Sequence, residues 1–246
     1  MSAWRNAGCI DLFVRRAGAA GGRRLLLFCG MVNVDEALRY LGVRSDPDGA
    51  VRAKLAALAE TLEARPRHAL RVYPVTRAGQ GMALEGTGVV LPGKLAESVL
   101  RDCGQAALLV CTLGAAFDAR VRAAQARDMA EAVMLDALGS AWVEDGCDVA
   151  ERLIAARFPG KFLTDRFSPG YGDLPLTVQP DILAATDAGR QLGVQATDSC
   201  LMLPQKTVTA IIGIADRPQP ARIRGCANCS MRGDCDYRKG GTSCGF

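Results

Sequence analysis

Four cysteines crowd the last 21 residues: Cys226, Cys229, Cys235 and Cys244, spaced C-x2-C-x5-C-x8-C. Exposed thiols in an irregular, Gly-rich cytosolic segment are open to oxidation, so four together need a reason. Metal ligation is the chemistry they suit. Zinc sites built from four cysteines usually show two C-x2-4-C pairs, and here there is one pair. Iron–sulfur clusters accept more varied spacing. A tetrathiolate cluster is also anionic, and Arg224, Arg232, Arg238 and Lys239 are interleaved with or flank the cysteines to offset that charge. The reading favours a [4Fe–4S] cluster, with a zinc staple as the alternative.

A second stretch invites chemistry. Residues 166–175, RFSPGYGDLP, hold two Pro, two Gly, one Arg and one Tyr. Such a segment cannot be regular helix or strand. It reads as a stiff, Gly-punctuated loop that carries one Arg, Arg166, and one Tyr, Tyr171.

Other chemistry is excluded. Gly79-Gln-Gly81 and Gly86-Thr-Gly88 both lack the third glycine of a dinucleotide-binding fingerprint, and no P-loop is present. The one histidine, His68, lies in RPRHAL beside a strand and reads as a surface residue, so no Ser or Cys nucleophile has a base. The D-x-H-x-x-G loop of corrinoid-binding domains and the C-x-x-x-C-x-x-C triplet of radical enzymes are both missing.

The elements that must position these residues follow from punctuation and period. Asn33 caps a helix over 34–41, with Glu36 completing a capping box. A second amphipathic helix covers 49–64. Strands are expected at 69–75 and 87–91, a helix at 93–103 and a strand at 106–114. Residues 115–158 read as helical. Leu138, Trp142, Val149 and Leu153 form one core-facing stripe there, and Gly139 and Gly146 mark close packing or a bend. A helix from 177 or 179 to about 190 and a strand over 206–216 complete the order. The order is α+β, without a regular βαβ rhythm.

The chain divides into an irregular arm (1–30), a main domain (31–216) and a Cys-rich tail (217–246). Met31 opens the cleaner pattern; either a start there or a loose arm fits. The net charge of +4 comes from 30 basic and 26 acidic residues. The tail, with six basic residues and two acids, accounts for all of it. That balance does not argue for nucleic acid. No apolar run approaches the roughly 20 residues of a membrane span. RRLLLFCG is too short for a secretory signal and no A-x-A pattern follows, so a cytoplasmic setting with reduced thiols is expected.

The loop and the segment after it can be read together. RFSPGYGDLPL is followed by a helix and then by GVQATDSCLMLPQKTVTAIIGI. This resembles the activation domain of cobalamin-dependent methionine synthase. That family carries an R-x-x-P-G-Y loop, a helix, and a segment like L-T-E-S-x-x-M-x-P-x-x-S-V-S-G. Thr197, Asp198, Ser199, Met202, Pro204, Thr207, Val208 and Thr209 carry the second motif. The likeness covers 130–215 well and 31–129 more weakly, where the chain looks like short, free-standing members. It does not cover the cysteine tail.

The resemblance implies a mixed or antiparallel twisted sheet flanked by helices, with a small helical part at the N-terminus. It implies binding of S-adenosylmethionine and delivery of its methyl group to a cobalamin held by a partner protein. Arg166 would pair with the ligand carboxylate. Ser168, Pro169 and Gly170 would form the cradle. Tyr171, near the methyl group, is the candidate catalytic residue. The chain departs from the family at Gly172-Asp173-Leu174-Pro175, where P-A-C-P-x-H is usual. The ligand-binding acid of longer members falls at Ser140, with Glu144 one turn later as its candidate substitute.

The resulting expectation is reactivation of a corrinoid protein in trans. The partner would be a methionine synthase lacking its own activation domain, with a flavodoxin or ferredoxin as electron donor. The alternatives are a non-catalytic corrinoid-protein binding or assembly factor with a zinc-stapled tail, and a methyltransferase component of another corrinoid system.

Overall fold

The computed structural model describes residues 8–13, 24–29, 32–43, 46, 48–221, 223 and 233–241. Its centre is a long antiparallel trio: β3 (Arg67–Arg77), β6 (Cys103–Thr112) and β10 (Thr207–Ala215), with β6 in the middle. β3 pairs with β6 from Arg67 opposite Thr112 to Pro74 opposite Gln105. β10 lies on the other side of β6 and carries the short β7 (Phe162–Leu163) at its outer edge.

Strand alternation assigns each side chain of this trio to one of two cores. Leu70, Ala107, Leu109, Cys111, Ala210 and Ile212 face one core, with α1 (Val34–Tyr40), α2 (Ala50–Glu60), α4 (Ala115–Gln125) and α5 (Met129–Arg157). Ala69, Ala106, Leu108, Val110 and Ile211 face the other. There they meet α3 (Lys94–Leu100), α6 (Gln179–Thr186) and α7 (Ala188–Leu192), along with β4 (Gly81–Leu84) and β5 (Val90–Pro92). β6 is buried on both faces, which is why its sequence is a continuous apolar run rather than an alternating one. The sheet is mixed, because β1 (Gly8–Phe13) meets β3 in parallel at Phe13 opposite Ala69.

α5 is the backbone of the first core. Leu138, Trp142, Val149 and Leu153 are all buried, as their spacing requires. Gly139 and Gly146 are packing residues: a Cβ at Gly146 would stand 2.5 Å from Pro66 Cβ, and one at Gly139 would run into the Phe117 ring.

Several boundaries differ from the sequence reading, each for a local reason. Residues 115–158 are two helices, because the Asp128 carboxylate accepts from the N–H groups of Ala130 and Glu131 and starts α5 afresh. The helix expected to run to 190 breaks at Asp187, which takes φ +57°. α2 stops at Glu60, where the Thr61 hydroxyl donates to the Leu58 carbonyl at 2.7 Å. The strand expected at 87–91 is β5, shifted to Val90–Pro92, and β4 before it was not foreseen. Within the arm read as irregular, β1 and β2 (Arg24–Cys29) pair antiparallel, Gly8 opposite Cys29. His68 is buried, not on the surface. Its register opposite Cys111 turns it into the first core, where its Nε2 lies 2.6 Å from the Gly146 carbonyl.

Candidate functional site

The 166–175 loop is fixed at both ends. Phe167 bridges Ile211 of β10 through two backbone hydrogen bonds, of 3.1 and 2.8 Å, and its ring is fully buried in the second core. Arg166, one residue earlier, reaches the opposite side, toward α5. Beyond Phe167 the chain folds into consecutive turns: Tyr171 N–H donates to the Ser168 carbonyl at 3.0 Å, and Gly170 N–H to the Leu174 carbonyl at 2.8 Å. Gly170 takes φ +94°. Pro169 is buried, Ser168 half-buried, and Gly170 and Tyr171 are exposed. Asp173, the departure from the family pattern, accepts from the N–H groups of Lys94 (2.7 Å) and Leu95 (3.0 Å) and so caps α3.

Arg166 is the centre of the site. Its side chain is only 9% exposed. Nη2 donates to Glu144 Oε2 at 2.6 Å, and Nη1 to Asp148 Oδ1 at 3.0 Å and to Glu151 Oε1. Glu144, Asp148 and Glu151 stand at i, i+4 and i+7 of α5, one helical stripe. Burial works against the guanidinium charge, but Cys147, Glu151 and Glu144 outweigh it and hold the group above its ordinary value. Among the described residues its Nε–H has no hydrogen-bond partner. Glu144 likewise keeps its Oε1 without a hydrogen bond among those residues.

Two further groups border the cluster. Tyr40, at the end of α1, lies under the Arg39 guanidinium, 4.6 Å from ring centroid to Cζ. Burial, then Glu144 and Glu36, push its phenol up to about 12, and Tyr171 lies within electrostatic reach of it. Asp145 of α5 accepts from Asn33 N–H at 3.0 Å, which ties α1 to the same helix.

Ser140 does not join them. Its hydroxyl lies 2.9 Å from Lys206 Nζ, and Lys206 also pairs with Asp136 at 2.9 Å. The second motif shapes the approach to β10: Thr197 and Ser199 hydroxyls lie 3.0 Å apart in a turn, and Thr207 Oγ1 lies 2.8 Å from Thr112 Oγ1. The sequence reading named Arg166, Tyr171 and Glu144, of which Arg166 and Glu144 are in contact. It missed Asp148, Glu151 and Tyr40, although the acidic stripe was readable from its helical spacing.

Of the cysteine tail, Cys235 is a half-buried free thiol, while Cys226, Cys229 and Cys244 lie outside the described residues. Among the described residues no three His, Cys, Asp or Glu side chains are grouped to hold a metal. At the start of the tail, Ile223 N–H donates to Asp165 Oδ2 at 2.9 Å, one residue before Arg166. No helix among the described residues is long and apolar enough to cross a membrane. A groove of about 320 Å³ opens elsewhere, beside α6 and α7. Its lining charges, Asp187 and Arg190, pair with each other.

These features define an α+β domain with a charged cluster between a long helix and a Pro-Gly loop. Neither a protein-family model nor a curated relative matches the sequence. Among solved structures the chain is similar to the crystal structure of the MetH reactivation domain bound to AdoHcy, with a TM-score of 0.56 and 15% identity. The match covers 86% of this chain and 83% of that one. The resemblance noted in the sequence therefore holds at the level of the fold.

Proposed function

We propose that this protein binds S-adenosylmethionine at the Arg166–Tyr171 loop and restores a corrinoid protein by reductive methylation. The observation that carries the reading is the return of the R-x-x-P-G-Y loop onto α5. It sets Arg166 beside Glu144 in a fold similar to one solved with AdoHcy bound. The residues fit the ligand. Arg166 offers its remaining Nε–H to the carboxylate, and a charge-assisted bond there is strong. Glu144 offers an oxygen to a cationic group. Gly170 allows the backbone to approach, and the exposed Tyr171 ring forms the outer wall.

The corrinoid belongs to a partner, with a methionine synthase lacking its own activation domain as the proposed one. One electron takes its cobalt from Co(II) to Co(I). The sulfonium then gives up its methyl as a cation equivalent, leaving methylcobalamin and S-adenosylhomocysteine. A flavodoxin or ferredoxin supplies the electron, docking on the basic tail. The cysteines of that tail, Cys226, Cys229, Cys235 and Cys244, are proposed to ligate a [4Fe–4S] cluster, with zinc as the alternative. The Ile223–Asp165 bond is consistent with a tail held near the site.

Titration calorimetry with S-adenosylhomocysteine tests the site. Binding to the wild type and a loss of at least about tenfold in Arg166→Ala, from one lost charge-assisted contact, support it. No binding to the folded wild type overturns it. Anaerobic purification with iron, sulfide and zinc analysis tests the tail. A band near 400 nm that bleaches on reduction identifies a cluster, and one zinc per chain makes the tail structural.

A further inference from the structure

Two buried thiols meet where α5 packs on the central strand. Cys111 of β6 and Cys147 of α5 are both fully buried and both free. Cys111 Sγ donates to the Val143 carbonyl at 3.6 Å. In an α-helix that carbonyl also accepts from the N–H four residues on, here Cys147. The two thiols are hydrogen-bonded to each other. Cysteines whose Cα atoms stand more than about 7 Å apart cannot be bridged, so helix and strand must approach closely. Gly146 provides that approach, since a Cβ there would stand 2.8 Å from Cys111 Sγ. Two further groups face the pair. His68 stands opposite Cys111 in register, on the same face of the sheet, and its Nδ1 has no hydrogen-bond partner among the described residues. Cys147 shares the α5 stripe of Glu144 and Glu151, at i+3 and i−4, beside Arg166.

We infer that Cys111 and Cys147 are a redox pair, which hydrogen peroxide closes into a disulfide that staples α5 to β6. A small, uncharged oxidant is the kind that reaches fully buried sulfur. The Cys147 sulfur attacks one peroxide oxygen, and the O–O bond breaks. The departing hydroxide takes the Cys147 proton and leaves as water, with Cys147 now a sulfenic acid. The Cys111 sulfur then attacks the Cys147 sulfur, and the S–O bond breaks. His68 Nδ1 takes the Cys111 proton and passes it to the departing hydroxide, which leaves as the second water. The sulfurs give up two electrons in all, and the peroxide gains them. A thiol reductant reverses the bond by exchange. The staple fixes against the central strand the turn of α5 that carries Glu144 and Asp148, two partners of Arg166. Cys103 is the contrast. It is also buried, but its Sγ donates to the Val99 carbonyl at 3.7 Å, and burial, then Asp102, push its thiol up to about 11.

The test treats the folded, reduced protein with hydrogen peroxide, then unfolds it in iodoacetamide to block the remaining thiols. The unreduced digest is mapped by mass spectrometry. A pair of peptides joined through Cys111 and Cys147 is expected, lost on addition of dithiothreitol, with Cys103 recovered as alkylated thiol. In Cys111→Ser the sulfenic acid persists at Cys147 and is captured by dimedone. The oxidised wild type is expected to melt several degrees above the reduced form, because the bond restricts the unfolded chain, and Cys147→Ser does not show that part of the rise. His68→Gln is expected to slow the link by at least about tenfold, the scale of a lost proton acceptor. An unchanged rate overturns the part given to the imidazole. If either serine variant fails to fold, the wild-type map decides alone. Recovery of Cys111 and Cys147 as thiols while other cysteines are oxidised overturns the inference, as does oxidation of Cys103 at the same rate as the pair.

Discussion

Asp173 accepts a hydrogen bond from the Lys94 backbone N–H at 2.7 Å, across 79 residues of sequence. A second bond, from Leu95 N–H, completes an N-cap supplied to α3 by the loop. Gly93 makes room for it: a Cβ there would stand 2.6 Å from Asp173 Cγ. The side chain therefore links the candidate ligand loop to the second core.

Replacing it tests that link. The Leu95 and Lys94 N–H groups hold the Asp173 carboxyl below its ordinary value. The bonds therefore add stability above the unfolded-state pKa, and the gain is lost as pH falls through the folded one. Asp173→Ala is expected to lower the melting temperature by a few degrees at pH 7 and to weaken ligand binding while Arg166 is untouched. Asp173→Asn, itself a good cap residue, recovers much of the loss. Thermal melts at pH 7 and in acid check both points, and the gap between wild type and Asp173→Ala narrows on the acid side.

Close packing of α5 on the sheet gives the next prediction. A methyl group at Gly146 meets Pro66 Cβ at 2.5 Å and Cys111 Sγ at 2.8 Å. It also pushes away the carbonyl that partners His68. Gly146→Ala is expected to destabilise by about 1–3 kcal/mol, the usual cost of overpacking, despite the better helix propensity of alanine. Urea unfolding measures it. A neutral or stabilising effect shows that helix and strand separate easily and that this contact does not set their spacing.

The limits of the sequence reading have physical causes. Where one element decides, the residues were legible: the α5 stripe follows from a period of 3.6, and β6 and β10 from apolar runs between turn residues. His68 was misplaced because its neighbours in RPRHAL are polar, and burial is decided by pairing with Cys111, 43 residues away. The break at Asp187 was invisible because a positive φ there is expected of glycine or asparagine. Arg166 and Tyr171 were singled out through the Pro-Gly loop, and Glu144 through its place one turn beyond Ser140. Convergence of three carboxylates on a single Arg166 was not legible, since it depends on how the loop returns across α5.

Stability should also carry two opposing dependences on pH, both from groups packed around α5. Burial, the larger cause, lowers the pKa of His68 below 6.5, with the Gly146 carbonyl opposing. Its neutral form adds stability above the unfolded value, lost as pH falls through the folded one. Asp145 behaves in reverse. Burial, then Asp148 and Glu36, push its carboxyl from 3.8 up to about 6, with Asn33 N–H opposing. A proton bound more tightly in the folded state stabilises below the unfolded value, and that gain disappears as pH rises through about 6. Asp145→Asn keeps an acceptor for Asn33 and removes the charge. It is expected to raise the urea midpoint at pH 7, with the advantage shrinking to nothing near pH 4. His68→Gln is expected to flatten the acid-side loss of stability, whatever its effect on the absolute midpoint. Urea midpoints measured from pH 4 to 8 for wild type and both variants separate the two. If Asp145→Asn is no more stable than wild type at pH 7, the carboxylate is hydrated or paired there, and the packing of α1 on α5 is looser than its Asn33 contact implies.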